Sequence, residues 1–324
     1  MNHEVKAPRP KVRFGDLHPL AALLDARADE MPDAPFAIFP EASLTYREVR
    51  ERARAFARGL VADGVQAGDH VGILMPNHQD FLIAHFGVQY AGAVGVLLNA
   101  RFKSHELAHA VPLADVTTII TTDAIDPFVD LAGVIQSAFP DLAKANSPEP
   151  LKLPEAPKLR RLIRFGSPWT PALTPNELLA PASGRESELD AEIDARLAAQ
   201  DPEDVSVMVF TSGTTSNPKA CMLSHASLER AWRTYLRLVR FQPGEKAWVP
   251  LPLFHSGGMG LLTAMTDIGG TFVSTPHFKP EEVVSLILEH RIEHLYPAFQ
   301  TLALPVLSLP EFTAETCSFV QSMV

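Results

Sequence analysis

The chain has 324 residues, 46% hydrophobic and 20% charged, a globular composition long enough to bury about 75% of the surface its unfolded form exposes. A formal net charge of −10 lacks the basic footprint of a nucleic-acid binder, and two cysteines, Cys221 and Cys317, cannot build a disulfide framework or a four-thiolate zinc site. The N-terminus has no signal-peptide core, and the longest apolar run, Phe86 to Ala100, is too short to span a bilayer. A cytoplasmic protein of about two lobes is expected, with each cysteine a small buried hydrophobe.

In chain order, Val49, Ala53, Phe56, Ala57 and Leu60 recur at helical spacing within Tyr46 to Val65. The turn GVQAGD leads into the strand-like HVGILM. Phe81 to Ala91 then suits a helix, VGVLLN a buried strand, Ser104 to Leu113 a helix, and VTTIIT another strand. Strands separated by helices argue for an α/β fold with mostly parallel sheets and flanking helices. Pro140 to Ala182 breaks the rhythm with nine prolines and one strand candidate, LIRFG. Arg185 to Asp204 carries eight acids and two bases and reads as a solvated helix plus loop. These breaks divide the chain into a first α/β lobe with its connection (1–184), an acidic linker (185–204) and a second α/β lobe (205–324). In the second lobe VSVMVF, TFVST and RIEHLY are strand candidates, and a helix opens near Ser224.

The chemistry concentrates in the turn after VSVMVF, TSGTTSNPK. A strand feeding a hydroxyl- and glycine-rich turn and then a helix is a geometry that binds phosphates. Thr211, Ser212, Thr214 and Thr215 supply hydroxyls, Gly213 allows close backbone approach, and Lys219 brings a mobile positive charge. The GxxxxGK[ST] pattern is absent, and the same residue types also make ordinary polar turns. Residues 105–109, HELAH, match HExxH, but only aspartates follow as a third ligand, so no zinc site is expected.

TSGTTSNPK resembles the phosphate-binding signature of the adenylate-forming superfamily: acyl-CoA synthetases, luciferases and peptide-synthetase adenylation domains. Its flanks agree, in LTYREVRERARAFARGLVADGVQAGDHVGILMPN and in LPLFHSGG. The likeness runs from about Leu20 to the last residue. It implies a ligase, related to fatty acid metabolism, that joins a carboxylic acid to ATP and passes the acyl group to coenzyme A, with Mg²⁺ assisting. It also implies the fold of that family's large N-terminal domain, incomplete at the C-terminus. By the resemblance, Thr211, Ser212, Gly213, Thr214, Thr215, Ser216, Asn217, Pro218 and Lys219 hold the β- and γ-phosphates. His255 stands near the carboxylate, or equally is a packed structural residue, and Gly257, Gly258 and Gly260 let the backbone pass close to the acyl group.

Two residues depart from the family pattern: Ser216 and Ala220 stand where glycine is usual. If position 216 needs a positive φ, serine costs about 1–2 kcal/mol there. Amino-acid-activating relatives place an aspartate near the His255 segment. Trp248 to Thr266 contains no acid, which favours an uncharged fatty or aromatic acid. The tyrosine–glycine–x–threonine–glutamate segment that serves Mg²⁺, the later ribose aspartate and the C-terminal lysine have no equivalent here, so no metal ligand is assigned. The 324 residues alone are therefore expected to be a fragment that forms no acyl-CoA at a useful rate, with an open sheet edge or exposed core at its end. The alternative is a non-catalytic truncated paralogue acting as a nucleotide-binding or interaction module.

Overall fold

The computed structural model describes residues 16–145, 147, 150–211 and 218–324. Helix α1 (Leu20–Glu30) is buried on most of its surface, and β1 (Pro35–Phe39) and β2 (Ala42–Thr45) form a hairpin. Helix α2 (Tyr46–Ala62) opens with a capping box: Glu48 N–H donates to Thr45 Oγ1 at 3.2 Å, and Thr45 N–H donates to Glu48 Oε2 at 2.8 Å. Then come β3 (His70–Leu74), α3 (Gln79–Tyr90), β4 (Val94–Leu98), α4 (Ser104–Leu113), β5 (Thr118–Thr122), α5 (Leu131–Ala138), β6 (Arg161–Phe165), α6 (Pro175–Leu179) and α7 (Glu186–Ala199). The remainder is β7 (Val205–Thr211), β8 (Lys219–Ser224), α8 (His225–Leu238), β9 (Lys246–Trp248), α9 (Ser256–Ile268), β10 (Thr271–Val273), α10 (Pro280–His290), β11 (His294–Leu295), α11 (Gln300–Leu307) and β12 (Ser322–Met323).

Two sheets result, ordered β6-β5-β3-β4-β7-β8 and β12-β11-β9-β10-β1-β2. Each is parallel except for one antiparallel edge pair, β7/β8 in the first and β1/β2 in the second. The sheets do not follow the division of the sequence at 184 and 205. Strands β7 and β8 complete the sheet begun by β3 to β6, while β1 and β2 complete the sheet built by β9 to β12. Helix α3 lies between them: Phe86 packs edge-on to Phe36 of β1 at 5.6 Å, and the helix also contacts β3 and β4. That position explains why every residue from Phe81 to Tyr90 is buried.

Three local expectations change. The acidic segment is docked rather than solvated. Leu189, Ile193 and Leu197 of α7 are buried, Arg54 Nη2 donates to Asp194 Oδ1 at 2.5 Å, and Arg58 Nη1 donates to Asp190 Oδ1 at 3.0 Å. Arg196 donates to the carbonyls of Val65 and Ala91 at 2.9 and 2.8 Å. Residues 219–224 are a strand, not part of a loop leading directly to a helix, and α8 begins only after it, with Ser224 as its N-cap. Cys317 is buried as expected, but Cys221 is exposed, because it lies on edge strand β8, where its neighbour Met222 is exposed as well.

Candidate functional site

The loops at the carboxyl ends of the parallel strands converge on one cleft of about 540 Å³, within the usual size range of small-molecule sites. Pro76 and Asn77 follow β3, Ala100 and Arg101 follow β4, and Ile125, Phe128 and Val129 follow β5. The second sheet contributes Pro250 to Pro252, Phe254 and His255 ahead of α9, Thr275 to Phe278 after β10, and Phe299, Thr301 and Leu302 at α11. Among the described residues lining it, none is an aspartate or glutamate. A second cavity, of about 610 Å³, opens at the amino ends of β4 and β7. Its arginine, Arg196, is the one already bound to backbone carbonyls.

Asn77 fixes the cleft wall. Its Nδ2 donates to Leu251 O and to Ser274 Oγ, both at 2.9 Å, and its Oδ1 accepts from Leu253 N–H at 2.8 Å. Ser274 Oγ donates in turn to Val249 O at 2.7 Å. This buried amide ties the end of β3 to the turn that carries His255, with its polar groups satisfied. His255 is exposed at the start of α9 and packs against Phe254 with ring centroids 4.8 Å apart. Partial desolvation at the cleft wall, and then the Arg101 charge, hold its imidazole below the usual pKa. A neutral imidazole can donate from one nitrogen and accept at the other. Arg101 adds a permanent cation.

The glycines have a packing role. A Cβ on Gly258 would press into Pro252 O and sit 2.7 Å from Leu251 O, and one on Gly260 would enter the Trp232 indole. Neither these two nor Gly257 lines the cleft; their bareness lets α9 approach its own leading turn and α8. Gly258→Ala is therefore expected to destabilise by about 1–3 kcal/mol, because backbone carbonyls cannot swing aside. Gly257→Ala meets only the Leu251 Cδ1 side-chain end, at 3.1 Å, and should cost much less. Urea unfolding of both variants checks the contrast.

At the expected phosphate loop, Ser212, Gly213, Thr214, Thr215, Ser216 and Asn217 lie outside the described residues. Its two ends are placed. Thr211 of β7 stands opposite Lys219 of β8, both exposed, with Pro218 buried beside them. The amino end of α8 is thus a whole strand away from the loop. Any phosphate contact at this turn rests on loop amides, hydroxyls and Lys219 rather than on that helix. Ala220 pairs with Phe210 and packs against the core, so a methyl fits where the family usually has glycine. Because Leu97 of β4 is in register with Val209 of β7, the loop springs from the strand next to the one that leads into Arg101, the two strands lying about 4.8 Å apart.

HELAH falls in α4, where Glu106 accepts the Lys103 N–H at 2.8 Å and so caps the helix. Among the described residues no group of three or more His, Cys, Asp or Glu side chains could hold a metal ion. The sequence reading singled out His255 but not Asn77, Arg101, Phe128, His277 or Phe299. The available signal was position: Asn77 and Arg101 come two or three residues after predicted parallel strands, where ligand-binding residues gather.

The AMP-binding enzyme family model matches residues 24–317. A long-chain-fatty-acid–CoA ligase of Bacillus subtilis is 26% identical over 316 residues, covering 94% of this chain and 54% of that protein. A feruloyl-CoA synthase of an Amycolatopsis species is 30% identical over 269 residues, covering 82% of this chain and 46% of its own length. The chain thus spans about half the length of the curated relatives it matches. Among solved structures, a long-chain-fatty-acid-CoA ligase from Archaeoglobus fulgidus superposes with a TM-score of 0.70 at 22% identity, covering 94% of this chain and 55% of that one. At that identity the structural likeness speaks for the fold, an α/β arrangement shared with the N-terminal domain of adenylate-forming ligases. With the family model spanning nearly the whole sequence, the chain belongs to the AMP-binding enzyme family.

Proposed function

We propose that this chain carries the ATP- and acid-binding part of an acyl-CoA synthetase that activates a carboxylate with an uncharged acyl tail. The observation that carries the reading is the pairing, at one end of one sheet, of a Lys219-bearing hairpin with an apolar cleft holding Arg101 and His255. In the reaction a carboxylate oxygen attacks the α-phosphorus of ATP. The bond to the bridging oxygen breaks, and pyrophosphate leaves with its electron pair. Two anions must meet, so cations that offset their charge lower the barrier. Lys219 faces the departing pyrophosphate, while Arg101 and the neutral His255 orient the carboxylate. Thr211 and the loop hydroxyls and amides complete the phosphate cradle. The thiol of coenzyme A then attacks the carbonyl of the acyl-adenylate, the bond to the phosphate oxygen breaks, and AMP leaves as the thioester forms and the thiol proton is released. Mg²⁺, where bound, would screen the phosphates; no carboxylate of the chain is assigned to it.

Absence of acidic side chains from the described cleft lining leaves nothing to pair with a substrate amine, which favours a fatty or aryl acid over an amino acid. The names of the relatives, one a fatty-acid ligase and one a feruloyl-CoA synthase, support the same class. Among the described residues no helix is long and apolar enough to cross a membrane, and we place the protein in the cytoplasm on the nature of its substrates. Equilibrium titration with fatty, aryl and amino acids in the presence of ATP tests the reading. Binding of acids with uncharged tails is expected; binding of an amino acid alone would rule it out.

A further inference from the structure

The cavity of about 610 Å³ lies at the opposite end of the first sheet from the cleft. Val205, which opens β7, lines it, whereas the Lys219 hairpin stands at the far end of that strand, about 20 Å away. The walls are apolar, made by Ala93 and Val94 at the start of β4, by Val205, and by Ala195 and Ala199 of α7. Two polar atoms of the lining residues have no partner. Gln200 donates from Nε2 to Gln89 O at 2.9 Å, which fixes the orientation of its amide, and its Oε1 is buried with no hydrogen bond to any described residue. His225 is 4% exposed, and its Nδ1 accepts the Leu20 N–H at 3.1 Å. The ring hydrogen therefore sits on Nε2, which makes no hydrogen bond to any described residue.

The chain brings these two side chains together. The turn after α7 is stitched to the start of α8, with Ala226 N–H donating to Pro202 O at 2.8 Å and His225 N–H to Asp204 O at 3.3 Å. One orphan is an acceptor and the other a donor, and buried polar groups of that kind are normally satisfied. Charge narrows what can satisfy them. Arg196 is already engaged: Nη1 donates to the carbonyls of Val65 and Ala91, and Nη2 pairs with Glu192 at 2.6 Å. The Asp204 carboxylate remains, and among the described lining residues no free cation opposes it. An anion drawn to Lys219 or Arg101 is therefore disfavoured here.

We propose that this cavity is a second binding site, for a small neutral carboxamide on a compact apolar body. The amide N–H donates to Gln200 Oε1, its carbonyl accepts from His225 Nε2–H, and the apolar part covers Ala93, Val94 and Val205. A ketone or ester satisfies only His225, and an amine only Gln200. Because the cavity is a whole strand away from the cleft, its occupant is an effector and not a reactant. The site does not depend on the ligase reading.

Calorimetric titration of the chain with benzamide, acetophenone and benzoate tests the assignment, in the wild type, Gln200→Met and Ala199→Leu. Ala199 is exposed on α7, so leucine there should fill the cavity without disturbing the fold, and urea unfolding checks both variants. Benzamide is expected to bind in the millimolar range or tighter. It should exceed acetophenone, which keeps the ring and carbonyl but lacks the N–H, by about 3- to 10-fold. Gln200→Met should erase that preference, and Ala199→Leu should abolish benzamide binding. Any binding of benzoate should be insensitive to Ala199→Leu. Failure of benzamide to bind, equal affinity for benzamide and acetophenone, or benzamide binding unchanged in Ala199→Leu would overturn the inference.

Discussion

Replacing Arg233 by methionine should lower the unfolding free energy by about 3–5 kcal/mol, the usual consequence of removing one member of a buried ionic group. Arg233 joins three parts of the molecule. Its Nε donates to Asp267 of α9 at 2.7 Å, and its Nη2 pairs with Glu229 one turn earlier on α8 and donates to Asp16 O at 3.0 Å. The Glu229 side chain is fully buried and that of Asp267 is 6% exposed, so the substitution strands two carboxylates where water cannot reach them. Glu229 Oε2 also accepts from His18 N–H at 3.1 Å, which pins the segment leading into α1 onto α8. The network matters for the site because α8 continues from the Lys219 hairpin and α9 begins at His255. Urea unfolding at neutral pH measures the loss. Adding Glu229→Gln and Asp267→Asn to the variant should recover part of it, since neutral amides are cheaper to bury. A change under about 1 kcal/mol in the single variant would mean that these carboxylates reach solvent.

Acid should destabilise the protein well before its carboxylates titrate. His85 of α3 is fully buried between Phe81 and Phe86, and neither ring nitrogen has a hydrogen-bond partner among the described residues. Burial, then the nearby His225, pushes its pKa down to about 3. His225 is pushed down to about 4 by burial, and its Nδ1 must stay unprotonated to accept the Leu20 N–H at 3.1 Å. In the unfolded chain both titrate near 6.5, so between about pH 6.5 and 4 the unfolded state binds protons that the native state refuses. The stability is fully present above that window and falls through it by about 1.4 kcal/mol per pH unit for each histidine, or about 5 kcal/mol in total between pH 6.5 and 4.5. That loss rivals the whole stability of many domains. Denaturant unfolding at a series of pH values should show a slope near two protons, reduced to about one in His85→Leu. The same variant should be at least as stable as the wild type at pH 7.5, because it removes two orphaned nitrogens from the core. A flat profile from pH 7 to 5 would show that these imidazoles are hydrated.

Elements whose burial follows from their own periodicity were legible in the sequence. The spacing of Val49, Ala53, Phe56 and Leu60 reads as a helix, and those residues are the buried face of α2. The β-branched runs at β3, β4, β5 and β7 likewise read as interior parallel strands, because both faces are covered. Strand β8 was not legible, since an edge strand with Lys219, Cys221 and Met222 exposed has no apolar run to betray it. The docking of α7 was hidden for another reason. Asp190 and Asp194 look like solvated charge until Arg54 and Arg58 arrive from more than 130 residues away. The site divides the same way. His255 could be singled out from a local resemblance, whereas Arg101, Phe128, His277 and Phe299 meet only because two sheets with interleaved strands bring their loops together.

The central claim, that the hairpin bearing Lys219 holds the phosphates of ATP, is tested most directly by titrating ATP into the wild-type chain and into Lys219→Ala. Lys219 is exposed at the start of an edge strand, so its loss should leave the unfolding curve unchanged. A charge-assisted hydrogen bond to a phosphate contributes roughly 1.5–3 kcal/mol, so the variant should bind ATP about tenfold to a hundredfold more weakly while AMP, lacking the β- and γ-phosphates, loses little. Equal ATP affinity in the two folded proteins would contradict the account.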